Sequence, residues 1–294
     1  MSELAVGGRI AGIRSRIGGG WTLGLLLLVP GVVYYAVVFL VPTIALLRQG
    51  VIDQAGQPSG EWYGAFVHNP FYVGIFLRTL KLSLIATGIA FVLGYPCAAF
   101  LAQDRRGKNL MILAVLAPLL VSSVVRSYGW IVILGPNGFL DRIGGLLGGR
   151  HIDLLFSETA VTIALAQVLL PFMVLPIAGS LLQIDSSLLR AASNLGAGRI
   201  RVFTRVVLPL SLPGVAAGCV ITFSLCASSF VTPSLLGGAK VPVMAYLIYE
   251  QGLLQLNWPF AAALATILLA STMLLSAVYT LALPGGSSDR ALAQ

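Results

Sequence analysis

The stretch LLRAASNLGAGRIRVFTRVVLPLSLPG, residues 188–214, lies between long apolar runs and carries four arginines, a Gly-Ala-Gly turn and two prolines. The 294-residue chain around it is 57% hydrophobic and only 10% charged, with a mean hydropathy of +0.94. Soluble domains carry about 25% charged residues, so this chain lacks the polar residues needed to cover a globule in water. The composition predicts a membrane protein in which this stretch forms a basic connection between two spans.

Six apolar segments have, or nearly have, the length of about 20 residues that a membrane-spanning helix requires. They are Trp21–Val41, Thr79–Ala102, Leu110–Ser127, Thr159–Leu182, Leu212–Phe230 and Pro259–Leu283. The first segment is longer than the apolar part of a signal peptide and lacks a small-x-small cleavage site, so we expect it to be retained. Pro171 and Pro176 are expected to kink the fourth segment. The predicted fold class is an all-α polytopic membrane protein with six transmembrane helices.

Lysine and arginine are distributed unevenly between the two sets of connections. With both termini in the cytoplasm, the cytoplasmic segments hold eleven of the 18 basic residues but only four of the ten acidic ones. Basic residues collect on the cytoplasmic side of membrane proteins, which favours this orientation and accounts for the net charge of +8 without nucleic acid. We therefore expect a cytoplasmic tail over residues 1–20, a six-span domain over 21–283 with a basic loop at 183–211, and a disordered tail over 284–294.

The basic loop, residues 183–211, is predicted to form two short helices joined by a turn. Asp185 or one of the serines after it is suited to cap the first helix, and Gly196 is suited to end it in a left-handed conformation. The second helix is expected to begin near Arg199 and to stop at Pro209 and Pro213. Helices of about ten residues are marginal in water, so another surface must hold them. Their apolar faces suit packing on the protein's own spans, and the exposed turn suits a groove of a partner.

Three interpretations of this loop remain open from periodicity and charge alone. Its arginines are suited to anionic lipid headgroups, which attract basic segments at the cytoplasmic surface. A nucleic-acid-binding helix-turn-helix is disfavoured, because short tethers to two spans would keep the second helix out of a groove. The third interpretation is a docking element for a cytoplasmic protein.

The spacing of small residues in the loop resembles the EAA loop of ABC importer permeases. That pattern is Glu-Ala-Ala, three residues, Gly, nine residues, an aliphatic residue, one further residue and Leu-Pro. The matching residues are Ala191, Ala192, Gly196, Val206, Leu208 and Pro209. Arg190 stands where the family has Glu, so the contact that the family's Glu makes must be rewired, absent or matched by a co-adapted ATPase.

The resemblance covers about residues 70–283 and extends to further features outside the loop. These are Thr79 at the start of the second span, LGPNGFLDRIGG at 134–145, SFVTPSLLGGAK at 229–240 and NWPFAAALA at 257–265. Together they resemble the spermidine/putrescine-type permeases, in particular the first of the two permeases in such operons. The resemblance implies the type I, MetI-like importer fold.

The resemblance also implies a transport subunit of the bacterial inner membrane rather than an enzyme. In the family, two homologous permeases form a pseudo-twofold pore, a periplasmic binding protein delivers the solute, and a cytoplasmic ATPase dimer uses ATP and Mg²⁺. The permease itself binds no cofactor, and its loop forms coupling helices that sit in a cleft of the ATPase. The residues that the motif match carries over to this role are Arg190, Ala191, Ala192, Gly196, Leu208 and Pro209.

Residues near the expected outer ends of the spans indicate the solute only in outline. Carboxylates there are suited to guide a cation and aromatic faces to contact amines, with packing and solvation as alternative roles. The candidates for the solute pathway are Tyr128, Trp130, Glu158, Phe230 and Glu250, with Asp141 and Asp153 as further outer carboxylates. Arg126 would oppose a polyamine and favour an anion. We expect a small charged or amine-bearing solute, with a polyamine such as spermidine or putrescine as first choice, and a gate where the fifth helix breaks near Phe230.

Two other function classes are alternatives. An ATPase-independent secondary carrier or channel would use the basic loop only to meet lipid, but the scarcity of charges at the centres of the spans counts against ion-coupled carriers. A membrane enzyme is disfavoured, because no paired carboxylates, histidine cluster or nucleophile motif lie together. Cys97, Cys219 and Cys226 fall in apolar runs as packing residues, and no Cys or His spacing resembles a metal site.

Overall fold

The structure is a computed structural model that describes residues 28–52, 57–103, 106–136, 138–146 and 154–282. The tails predicted over 1–20 and 284–294, and the candidate Asp153, lie outside these residues. The described chain is helical along most of its length. In chain order, its helices are α1 (Leu28–Gln49), α2 (Glu61–His68), α3 (Pro70–Leu101), α4 (Lys108–Leu120), α5 (Ser123–Leu134), α6 (Phe139–Leu146), α7 (Glu158–Leu182), α8 (Ser186–Asn194), α9 (Arg199–Ala227), α10 (Val231–Leu236), α11 (Met244–Tyr249) and α12 (Trp258–Ala282).

Among the residues that the structure describes, five helices are long and apolar enough to cross a bilayer. These are α1, α3, α7, α9 and α12. The pair α4 and α5 brings the number to six when it is counted as one bent span. The predicted class, an all-α polytopic membrane protein, is therefore confirmed.

The third predicted span, Leu110–Ser127, is strongly bent in the structure. The chain bends by 102° between α4 and the segment that begins at Ser123. Val121 is extended at φ −95° and ψ 134°, so the helical hydrogen-bond ladder stops there. Pro118 lies inside the last turn of α4 and lacks an N–H, and helices kink at prolines and at serine pairs such as Ser122-Ser123.

The long outer connection predicted between the first two spans is largely helical. The helix α1 continues past Val41 to Gln49, and α3 begins at Pro70 rather than at Thr79. Asn69 caps α3, because its side-chain oxygen accepts a hydrogen bond from the Phe71 N–H at 3.0 Å. Residues 70–78, which were expected to lie before the second span, form the first turns of this 32-residue helix.

The fifth span also begins earlier than predicted. The second helix of the basic loop does not stop at Pro209 and Pro213 but runs unbroken into the span, so that α9 has 29 residues. A π-helical turn at Phe203–Val207 precedes Pro209, with the Leu208 N–H donating to the Phe203 carbonyl. A proline ring clashes with the carbonyl four residues earlier in a regular helix, and the extra residue of a π turn displaces that carbonyl.

The helices α3, α7 and α9 pack together at the centre of the bundle, and glycines bring α7 and α9 into close contact. A Cβ on Gly214 would lie 2.5 Å from the Pro176 carbonyl oxygen, and one on Gly218 would lie 2.9 Å from Met173 Sδ. Small residues four apart allow helix backbones to approach closely in a membrane, where packing drives helix association.

The central helices define two ends of the bundle. At the loop end, α3 and α7 finish at Leu101 and Leu182, and α9 begins beside them. At the far end, α3 and α7 begin and α9 finishes at Ala227. The basic loop therefore lies at the loop end, and the candidates Glu158 and Phe230 lie at the far end.

Candidate functional sites at the two ends of the bundle

The first helix of the basic loop is capped as the sequence predicts. Asp185 is its N-cap, and one of its carboxylate oxygens accepts a hydrogen bond from the Ser187 N–H at 2.8 Å. This hydrogen bond, with a smaller contribution from the charge of Arg190, holds the pKa of Asp185 below its ordinary value. The side chain of Arg190 donates a hydrogen bond to Ser186 Oγ at 2.8 Å, so it reaches back over the first turn of α8.

The turn predicted at Gly196 is confirmed. Gly196 has φ +76°, a left-handed conformation that favours glycine, and its N–H donates to the Ser193 carbonyl at 3.0 Å. The Ala197 N–H donates to the Ala192 carbonyl at 3.1 Å and completes the turn. No atom lies within 4 Å of the position that a Cβ on Gly196 would take, so the turn projects away from the bundle.

The tip of the basic loop exposes large apolar side chains. Leu195 is 88% exposed and Ile200 is 81% exposed, so the expectation that the loop's apolar residues pack on the protein's own spans is wrong for these two. On its other side, Leu189 and Val207 line a cavity of about 340 Å³ together with residues of α3 and α7. The tip is therefore an apolar surface without a counterpart among the described residues.

Basic side chains surround this tip. Arg190, Arg199, Arg201 and Arg205 are all exposed, and Asp185 is the one acidic residue between positions 183 and 211. The loop thus presents an apolar tip inside a positively charged rim, which suits a groove with acidic edges better than a neutral surface.

At the far end, three aromatic rings meet where α9 breaks. The helix α9 ends at Ala227 and α10 begins at Val231, which confirms the break expected near Phe230. The Phe230 ring lies 5.0 Å from the Tyr249 ring and 6.4 Å from the Tyr246 ring between centroids. We call Phe230, Tyr246 and Tyr249 the aromatic cluster. Sequence analysis identified Phe230 alone, since nothing in the local pattern shows that α11 folds back against the break.

Glu250 lies directly beside this cluster. It follows Tyr249 and opens a π-helical turn, Glu250–Leu254, and its Oε1 accepts a hydrogen bond from Gln255 Nε2 at 3.4 Å. Aromatic faces and a carboxylate are the two kinds of group that an ammonium ion contacts, and this segment of the chain supplies both.

Glu158 is not free to guide a cation. Its two carboxylate oxygens lie 3.2 Å from Arg78 Nε and 2.7 Å from Lys81 Nζ. These ion pairs join the first turn of α7 to α3 and leave the group of three side chains with a net positive charge. Arg78 and Lys81 were missed by sequence analysis, although their spacing of three on a helix is the signal that places them on one face.

The candidates on α5 lie near the far end, beside α7 and α10. Trp130 Nε1 donates to Gln167 Oε1 on α7 at 3.3 Å, and Tyr128 is 57% exposed. Ser127 Oγ lies 3.4 Å from Thr232 Oγ1, which places α5 beside α10. Trp130 is thus tied to α7, whereas Tyr128 is exposed on the surface of this chain.

Arg126 lies at the bend between α4 and α5. Its Nη2 donates to the Val121 carbonyl at 3.0 Å, which stabilises the bend. Its Nε and Nη1 are shielded from solvent and have no hydrogen-bond partner among the described residues. A guanidinium in a broken apolar span is costly, so Arg126 is a further candidate for a functional residue.

No group of three His, Cys, Asp or Glu side chains among the described residues is placed to hold a metal ion. The two assemblies that stand out are thus the basic loop at one end and the aromatic cluster with Glu250 at the other.

Comparison with known proteins shows which family this chain resembles. The family described as binding-protein-dependent transport system inner membrane component matches residues 90–285. The spermidine/putrescine transport system permease protein PotB of Escherichia coli (strain K12) is 36% identical over 214 residues, covering 72% of this chain and 78% of that protein. PotB of Haemophilus influenzae is 37% identical over 215 residues, covering 72% and 75%.

Solved structures show the same fold at lower identity. A bacterial ABC transporter that imports the acidic polysaccharide alginate contains a chain with a TM-score of 0.69 at 17% identity, covering 94% of this chain and 99% of that one. A chain of the methionine ABC transporter MetNI has a TM-score of 0.54 at 19% identity, covering 70% and 92%. These chains support the MetI-like fold that the resemblance implies.

The family match, the identity to PotB and the membrane-spanning helices agree with one another. They favour an ATP-driven importer over the alternative of an ATPase-independent carrier or channel. The chain therefore belongs to the inner-membrane components of binding-protein-dependent transport systems: it is a multi-pass inner-membrane permease subunit of an ABC importer, whose ATPase is a separate subunit and whose solute comes from a binding protein.

Proposed function

We propose that this permease imports a polyamine such as spermidine or putrescine, and that its basic loop docks on the ATPase. The observation that carries the docking role is the exposed tip, with Leu195 88% and Ile200 81% exposed on either side of the left-handed Gly196. Exposed apolar residues rimmed by charge are typical of protein interaction sites. An isolated membrane domain has no reason to present them to water.

The residues of the loop take distinct roles in this proposal. Ala191 and Ala192 keep α8 narrow so that it enters a cleft, and Gly196 makes the turn. Leu208 and Pro209 lie at the junction between the π turn and the long part of α9, so motion of the loop passes into the fifth span. Arg190, in place of the family's Glu, meets an acidic residue of a co-adapted ATPase.

The same proposal sets the assembly and its orientation. The loop end faces the cytoplasm, both termini are cytoplasmic, and the ATPase is a dimer that uses ATP and Mg²⁺. A second, PotC-like permease completes the pore, and a periplasmic binding protein docks at the far end. The excess of basic residues in the loop-end connections supports this orientation.

The solute class rests on the PotB relatives and on the far end. Phe230, Tyr246 and Tyr249 offer aromatic faces within 6.5 Å of one another between centroids, and Glu250 adjoins them. Ammonium groups bind aromatic faces and carboxylates, so this arrangement suits a polyamine. Phe230, at the break between α9 and α10, is the proposed gate. Glu158, Tyr128 and Trp130 support the walls of the pathway.

Docking is tested by coexpressing the chain with candidate ATPases from its own operon. Gly196→Asp and deletion of residues 188–198 are expected to abolish copurification. The matched control is Gly107→Asp, because Gly107 is also exposed and left-handed, at φ +95°, but lies in the other connection at the loop end. Equal loss in both aspartate variants would attribute the effect to general misfolding and defeat the docking role.

The solute is tested by uptake of labelled spermidine and putrescine in cells that express the whole importer. Uptake should require the binding protein and be competed by polyamines but not by neutral amino acids. Competition by an anionic solute and none by polyamines would contradict the proposed solute and leave the docking result standing.

A further inference from the structure

A buried contact ties α3 to the start of α9 at the loop end. Tyr95, 7% exposed, places its hydroxyl 2.9 Å from Ser211 Oγ, and Ser211 is fully buried. Ser211 Oγ also donates to the Leu208 carbonyl at 3.0 Å. A serine hydroxyl carries a single proton, and Ser211 donates it to the Leu208 carbonyl. Tyr95 is therefore the donor in the hydrogen bond between the two helices.

An aromatic contact reinforces this link. The Phe203 ring packs edge-on against the Tyr95 ring at 5.6 Å between centroids. Phe203 opens the π turn of α9, a few residues beyond the exposed tip of the basic loop. Tyr95 therefore contacts α9 on both sides of the junction at Leu208, through Phe203 before it and Ser211 after it.

A second buried contact ties α3 to α11 at the far end. The Met244 N–H donates to Thr79 Oγ1 at 2.9 Å, and the same hydroxyl donates to the Ile75 carbonyl at 2.8 Å. Thr79 is 2% exposed and Met244 is fully buried. Met244 is the first residue of α11, the helix that carries Tyr246 and Tyr249 of the aromatic cluster.

One unbroken helix joins the two contacts. Thr79 and Tyr95 both lie on α3, Pro70–Leu101, and are separated along its axis by about 24 Å at the α-helical rise. A helix of this kind transmits displacement along its length, whereas a contact across a loop does not. The helix α3 thus contacts α9, which continues from the basic loop, at one end and α11, which carries Tyr246 and Tyr249, at the other.

We propose that α3 acts as a rigid helix, here called the rod, that transmits motion of the basic loop to the aromatic cluster. Tyr95 and Thr79 are the positioning residues at its contacts with α9 and α11, and these two contacts are here called the joints. The inference rests on the proposed function, because the motion is supplied by the docked ATPase. When the loop moves, Phe203 and Ser211 carry Tyr95, and Thr79 carries the first turn of α11. The aromatic cluster then opens or closes in step with ATP hydrolysis.

The test measures the coupling ratio, solute imported per ATP hydrolysed, in the assembled importer in proteoliposomes. Tyr95→Phe, Ser211→Ala and Thr79→Val should each lower this ratio about two- to tenfold, the range for loss of one buried hydrogen bond. The double variant of Tyr95→Phe and Ser211→Ala should be no worse than either single variant. Thr79→Ser keeps the hydroxyl and should restore the ratio.

Thr87→Val is the matched control. Thr87 is 2% exposed, lies between the two joints on α3, and donates only to the Ser83 carbonyl of its own helix in the hydrogen bond that the structure shows. Its variant should keep the wild-type ratio. A structural role alone would lower uptake and hydrolysis together, and would lower them in Thr87→Val as well.

Failure of the rod and failure of the proposed function give different results. If wild-type chain neither copurifies with the ATPase nor imports solute with ATP, the proposed function is wrong. If the wild type does both while Tyr95→Phe and Thr79→Val keep its coupling ratio, the rod is wrong and the proposed function stands. The coupling ratio divides solute uptake by ATP hydrolysis of the same complexes, so reduced assembly of one variant does not mask the outcome.

Discussion

Gly214→Ala is the substitution for which the structure gives the sharpest expectation. The added Cβ would lie 2.5 Å from both the Pro176 carbonyl oxygen and Ser180 Cβ, against 3.4–4 Å for ordinary contact. One of these neighbours is backbone, so α7 and α9 must separate by about 1 Å. Overpacking of this kind costs about 1–3 kcal/mol. Alanine returns about 0.5–1 kcal/mol through its higher helix propensity, which leaves a net loss of about 0–2.5 kcal/mol.

Gly179→Ala is the matched control on the facing helix. Gly179 lies within α7, next to Ser180, and no atom lies within 4 Å of the position of its added Cβ. Only the gain in helix propensity remains, so this variant should melt at the wild-type temperature or above it. Thermal unfolding of the purified chain in lipid nanodiscs, followed by intrinsic fluorescence, compares the two. The reasoning is refuted if Gly214→Ala melts as high as Gly179→Ala.

Three further predictions concern Phe230 of the aromatic cluster, Arg126 at the bend between α4 and α5, and Asp185 of the basic loop. Phe230→Ala should raise basal ATPase activity and lower uptake in the assembled importer, and the gate is rejected if both are unchanged. Arg126→Gln removes a cation that repels a polyamine, so the KM for spermidine uptake should fall; an unchanged or higher KM would contradict this. Because the Ser187 N–H lowers the pKa of Asp185, its cap is intact above the ordinary Asp pKa of about 3.9 and is lost as the pH falls below it. Amide-exchange protection of α8 should therefore drop as the pH falls from about 3.9 through the lowered pKa of Asp185, and Asp185→Asn, which caps at every pH, should show no such drop.

The sequence predicts the membrane class, the approximate spans and the turn of the basic loop because each depends on local chemistry. Runs of about 20 apolar residues require helices in a bilayer, where backbone groups must bond within the segment. Gly196 indicates a left-handed turn and Asp185 indicates a helix N-cap, because these preferences act over three or four residues.

The sequence misjudges those elements whose outcome depends on neighbours in space. Pro209 is typical of a helix stop, but a π turn precedes it and α9 continues past it. The bend at Val121 places α5 beside α10, where Ser127 Oγ lies 3.4 Å from Thr232 Oγ1, a contact that the local sequence does not show. Glu158 looks like a free outer carboxylate until α3 brings Arg78 and Lys81 beside it.

The joints of α3 could not be found from sequence for the same reason. Tyr95 and Ser211 are 116 positions apart, and Thr79 and Met244 are 165 apart. Each is an unremarkable polar residue in an apolar run, and only the packed helices show that the members of each pair meet. Positions that link elements are visible from structure, whereas positions that shape one turn are visible from sequence.

We expect this chain to move its solute only when its basic loop engages an ATPase. The direct measurement is accumulation of labelled spermidine in proteoliposomes that contain this chain, the second permease and the ATPase. The binding protein is supplied on the side of the membrane that the far end of the bundle faces. The account predicts accumulation in the presence of ATP, none without it, and none with Gly196→Asp, while Gly107→Asp behaves as wild type. Spermidine transport by this chain reconstituted without any ATPase would contradict the account.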